Sequence, residues 1–132
     1  MRKASLASIG LLGFALAWSA QAQSVASFAD VAGSWRGHGR QSGIDTTIVI
    51  GRNGSWTTSS KIGTESGQGS IKDGAFLIEW TGGRGNMQVT RAGADAITGK
   101  ARFYNGSRWV NGQVDATRCA KPDCTDKGPK DY

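Results

Sequence analysis

Between Gly33 and Thr117 the chain has no proline and no stretch with a 3.6-residue apolar period. It alternates instead, in short runs separated by turn dipeptides, which is the pattern of half-buried strands rather than helices. The run IDTTIVI sets Ile44, Thr46, Ile48 and Ile50 against Asp45, Thr47 and Val49. GRNG at Gly51 to Gly54 then turns the chain into SWTTSSKI, where Trp56, Thr58, Ser60 and Ile62 share a face opposite Ser55, Thr57, Ser59 and Lys61. Asp73-Gly74 suits a type I′ hairpin, because both residues tolerate positive φ. After it Phe76, Ile78 and Trp80 lie opposite Ala75, Leu77 and Glu79. TGGRGN leads into MQVTR, and AGAD into AITGKARFY. That last run has the cleanest alternation, with Ile97, Gly99, Ala101 and Phe103 facing away from Thr98, Lys100, Arg102 and Tyr104. Asn105-Gly106 supplies another hairpin turn, and SRWVNGQVDATR returns as the final strand.

About eight short strands joined by short turns predict an all-β meander. A chain this small removes its exposed strand edges most simply by closing into a small antiparallel up-and-down β-barrel. An open two-sheet sandwich is the alternative. A membrane-spanning barrel is disfavoured, because Asp45, Lys61, Lys100 and Arg102 occupy faces where lipid demands apolar side chains.

The start of the chain bears on compartment. Arg2 and Lys3 precede an apolar run from Leu6 to Trp18, and Ala20-Gln21-Ala22 follows. This reads as a signal peptide, residues 1–22, cleaved after Ala22. The run falls short of the about 20 apolar residues a membrane span needs, so no span is expected after cleavage. Shortening the 132-residue chain by 22 leaves 110 residues, enough for one domain: a short lead at 23–31, a barrel at 32–118 and a tail at 119–132. Cleavage leaves 14 basic against 10 acidic side chains, scattered along the chain. Export speaks against nucleic acid as a partner, and the predicted location is periplasmic or secreted.

The tail holds both cysteines, in CAKPDC. In an oxidising compartment Cys119 and Cys124 read as a disulfide around Pro122. A metal site needs more ligands than two cysteines and one distant histidine provide, and a redox pair normally has a two-residue spacer.

Catalytic groups are sparse. His38, the sole histidine, lies between two glycines in AGSWRGHGR, but no activated nucleophile or strained elbow accompanies it. Asp45 and Glu79 have no context that brings them together as a carboxylate pair. The Gly-rich TGGRGN loop precedes a strand, whereas phosphate-cradling loops feed a helix, so it reads as a hairpin loop with Arg84 at its tip. No enzyme, cofactor or metal is expected.

The tryptophans are more informative. Trp35, Trp56, Trp80 and Trp109 lie in the barrel region, where inward aromatics either fill the core or line a pocket at the mouth. Trp56, Trp80 and Trp109, with Thr57 and Asn105 as polar neighbours, are the candidate ligand-binding residues. Gly33-Ser34-Trp35 on a first strand resembles the opening of calycin-type barrels, the lipocalin and avidin-like proteins, and of small periplasmic barrels that inhibit proteases. The resemblance implies that Trp35 closes the barrel floor as a structural residue, and that the function is non-catalytic binding. The expected partner is a small molecule in a Trp-lined mouth or an envelope protein engaged through the loops. The alternative is an envelope-associated structural protein whose basic surface contacts anionic polymers.

Overall fold

The computed structural model describes residues 22–61 and 63–124. The predicted signal peptide therefore lies outside the described residues but for Ala22, as does the tail beyond Cys124. The described chain is all-β, a nearly closed antiparallel barrel of nine strands: β1 Gly33–Gly39, β2 Asp45–Ile50, β3 Ser55–Ser60, β4 Gly63–Gln68, β5 Ser70–Lys72, β6 Ala75–Trp80, β7 Gly85–Gly93, β8 Ala96–Tyr104 and β9 Trp109–Arg118. They form one sheet in the order β4-β3-β2-β1-β9-β8-β7-β6-β5, so the first and last long strands pair with each other.

Alternation decides which side chains enter the barrel. Trp35, Ile48, Ile50, Trp56, Phe76, Ile78, Met87, Val89 and Ile97 are all buried in one core, and each occupies an apolar position of its alternating run. The strand absent from the sequence reading is β4, GTESGQ. Its register partners in β3 show why: Gly67, Glu65 and Gly63 stand beside the inward Trp56, Thr58 and Ser60, so its inner face carries no apolar side chain. It leaves no hydrophobic period to detect.

Only Gly69 separates β4 from β5. The two strands are halves of one bent run, which pairs first with β3 and then with β6. A Cβ at residue 69 would stand 2.3 Å from Phe76 Cζ, so the corner depends on a residue without a side chain. With β4 and β5 taken as a single bent strand, the expected eightfold meander is recovered. What remains open is the join between β4 and the end of β6, which no backbone ladder spans.

Two turns test the sequence reading in detail. Asp73 (φ 53°) and Gly74 (φ 78°) adopt the paired positive φ of a type I′ turn. The Asn105-Gly106 hairpin is wider than a two-residue turn. Asn105 N donates to Arg108 O, and the Asn105 carboxamide oxygen accepts from the amides of Ser107 and Arg108, giving a four-residue loop held by an Asx turn.

The segment 23–31 is more than a lead. Gln23 exchanges both backbone hydrogen bonds with Arg91 of β7, and Val25 N donates to Gly74 O. Val25 and Val31 are buried, and Phe28 meets the edge of Phe76 with ring centroids 5.9 Å apart. This segment forms the barrel floor together with Trp35, which is 1% exposed and donates from its indole N–H to Val31 O at 2.9 Å. At the other end of the chain, Cys119 and Cys124 form the disulfide expected from their spacing. Cys119 N donates to Ser34 O, and the Arg36 guanidinium donates to Cys124 O, which lays the small covalent loop against β1.

Candidate functional site

The barrel interior is packed by matching large side chains to glycines on neighbouring strands. A Cβ on Gly67 would lie 2.7 Å from the Trp56 ring. One on Gly99 would lie 2.5 Å from Met87 Sδ, and one on Gly37 would lie 2.6 Å from Val114 Cγ1. Each glycine thus makes room for the residue that covers it, and these layers are solid core. Trp35 and Trp56 belong to that core. The Trp56 indole N–H is buried without a hydrogen-bond partner among the described residues, a cost the surrounding packing must offset.

Trp80 is the inward tryptophan nearest the mouth and is half-buried; its indole N–H donates to Thr58 Oγ1 at 3.3 Å. Beside it the open join is spanned by side chains. Glu65 of β4 accepts from Thr81 N at 3.1 Å and forms an ion pair with Arg84. Arg84, expected at a loop tip, is folded back onto the barrel. Positive φ at Gly82 and Gly83 shapes the loop that brings it there.

The five residues selected from the sequence do not converge. Trp56 and Trp80 point inward. Thr57, adjacent to Trp56 in an alternating strand, points outward and shares a hydrogen bond with Ser66 Oγ at 2.9 Å. Asn105 is occupied in its turn. Trp109 sits on the outer face, 45% exposed, directly across from Tyr104.

His38 also faces outward, with Nδ1 2.6 Å from Asp45 Oδ1. Asp115 is its neighbour on β9, where the Arg40 guanidinium (Nε to Oδ2, 2.5 Å) and Thr98 Oγ1 (3.1 Å) hold the carboxyl below its ordinary range. A groove of about 330 Å³ runs past His38, Asp115 and Arg36. His38 contacts Asp45, Asp115 pairs with Arg40 and Arg36 donates to Cys124 O, and among the described residues no three His, Cys, Asp or Glu side chains are grouped to hold a metal. Glu79 lies on β6, remote in strand order from Asp45 on β2.

The outer face of β7, β8 and β9 is different. Register stacks its side chains in rows. Asn86, Arg102 and Asn111 stand side by side; in the next row stand Gln88, Lys100 and Gln113; and at the end of the strands Tyr104 meets Trp109. Two cations are each flanked by two carboxamides. The rows lie two residues apart along the strand, about 7 Å. A groove of about 490 Å³ follows them and reaches Gln41. Arg102 Nη1 donates to Asn111 Oδ1 at 3.0 Å, and its guanidinium carbon lies 5.6 Å from the Trp109 ring centre. Tyr104 and Trp109 pack edge-on, with centroids 5.8 Å apart. Among the described residues, no carboxylate forms a salt bridge with Lys100 or Arg102.

The signal for this face was present in the sequence. The outward set of β8, Thr98, Lys100, Arg102 and Tyr104, is plain in its alternation. Its amide neighbours needed the register of β7 and β9, which no local pattern specifies.

No protein-family model matches the chain, and neither a curated protein nor a solved structure matches it. The barrel architecture is compatible with a calycin-like fold, and architecture is the extent of the likeness.

Proposed function

We propose that this chain is an exported, non-catalytic binding protein that meets its partner on the outer face of β7–β9, with the barrel interior serving as scaffold. The observation that carries the reading is the pair of amide–cation–amide rows ending in two exposed aromatics. Two neighbouring exposed cations with no carboxylate partner among the described residues leave charge for an anionic partner to meet. The packed glycine layers support placing the contacts outside the barrel. Export is supported by the signal-like start and by the disulfide.

Washed envelope fragments from the producing cells provide the test. The protein carrying Lys100→Gln, Arg102→Gln and Trp109→Ala together is compared with Trp80→Phe at the mouth. Co-sedimentation with the fragments should fall at least severalfold for the first and stay at the wild-type level for the second. The reverse order would move the function to the mouth and refute the outer-face reading.

A further inference from the structure

We infer that the β7–β9 face takes an acidic saccharide, a chain of sugar rings bearing carboxylates. The inference rests on the outer-face reading above and names the ligand of that face. Three features carry it.

The first is the chemistry of the rows. A carboxamide offers a coplanar donor and acceptor, and a sugar hydroxyl both gives and accepts a hydrogen bond. Asn86 and Gln88 stand in these rows with Asn111, whose oxygen already accepts from Arg102, and Gln113, whose Nε2 already donates to Thr98 Oγ1, so the outer face presents two carboxamides and the remaining halves of two more. A protein partner would call instead for an apolar centre with anchoring side chains. On these three strands the face has none until the aromatic end is reached.

The second is charge. Lys100 and Arg102 sit in the middle of their rows with no carboxylate in a salt bridge among the described residues. Arg40, Arg84 and Arg118 each hold one, while Arg52, Lys61, Lys72 and Arg108 likewise form none among the described residues; Lys100 and Arg102 differ from these in standing two residues apart on one face between carboxamides. A ligand that brings its own carboxylates at about the row spacing completes both rows. Arg102 is already oriented by Asn111 and Trp109, so its planar fork is presented with little freedom to lose.

The third is the aromatic end. Tyr104 and Trp109 are each 45% exposed. Their edge-on packing fixes the rings without covering their outward surfaces. Ring faces carry negative charge density and receive the C–H side of a pyranose, while the sugar's hydroxyls remain at the rim for the amides.

The probe is a defined oligogalacturonate, with a neutral oligosaccharide of equal length, a poly-glutamate peptide and single-stranded DNA as competitors, all measured by calorimetry on the disulfide-intact protein. Binding to the oligogalacturonate is expected, weakening as salt is raised. Lys100→Gln with Arg102→Gln should weaken it about tenfold or more, as loss of charge-assisted hydrogen bonds requires. Trp109→Ala should weaken the neutral oligosaccharide and the oligogalacturonate by a similar factor. All these residues are exposed, so the variants should unfold at the wild-type temperature, and that control is run first. Equal or tighter binding of poly-glutamate or DNA would overturn the saccharide assignment, as would an oligogalacturonate that fails to bind. If the envelope co-sedimentation still depends on the face in that case, the outer-face reading survives without it. If it does not, both readings fall together.

Discussion

Trp35 joins three parts of the structure: it lies in the floor, donates to Val31 O, and has the Arg118 guanidinium carbon 4.2 Å above its ring. Trp35→Ala should destabilise the barrel by about 3–5 kcal/mol in a denaturant titration. A loss below about 1 kcal/mol would mean that the floor repacks without it. Asp30 acts on the same region through its charge. Its carboxylate accepts from Ala26 N at 2.8 Å and Ser27 N at 3.2 Å, and these backbone donors hold its pKa below the ordinary aspartate value. A carboxyl with a depressed folded pKa adds stability that is fully present above its unfolded pKa and is lost as pH falls through the folded one. The stability gap between the wild type and Asp30→Asn should therefore be widest near neutral pH and close below about pH 4. A gap that holds constant down to pH 2 would show that the carboxylate's charge contributes nothing.

Among the elements, β4 is held least by its own chemistry. Its neighbour β3 pairs with it along the full length, yet on the other side no ladder joins it to β6, and Glu65 instead reaches Thr81 and Arg84 in the loop that follows β6. Glu65→Gln should cost about 1 kcal/mol or less in global stability, since Arg84 is largely exposed. Amide hydrogen exchange should nevertheless quicken in β4 and at the end of β6, while the β8–β9 ladder stays protected. Uniform change across the sheet would show that the join is no weaker than the rest. The same element marks where sequence reading stops. Strands with an apolar inner face, such as β2, β6 and β8, announce themselves by period, and the type I′ turn at Asp73-Gly74 by its residue types. In β4 the inner face is Gly63, Glu65 and Gly67, so the sheet's register alone reveals it. The site divides in the same way: the outward residues of β8 were legible, but their juxtaposition with Asn86, Gln88, Asn111 and Gln113 is a property of pairing between strands distant in sequence. Thr57 was separated from Trp56 by the very alternation that identified the strand.

Across the whole molecule, closure rests on β1 pairing with β9, Trp35 opposite Arg118 and Gly39 opposite Val114. Nearly the entire domain lies between those partners in the chain. Bringing such distant segments together has an entropic cost that must be met before the contacts reward it. The barrel should therefore refold on the slow side for its size, in milliseconds to seconds, as a stopped-flow tryptophan trace would record. A microsecond phase carrying the full amplitude would contradict this. During synthesis the consequence is one of timing: until the ribosome has released residues 109–118, β1 has only one of its two neighbours, and the half-made sheet of β1 to β4 carries a bare edge. Under the export proposed above this delay is useful, because a protein that cannot finish folding until its last strand is made stays threadable while it is being delivered.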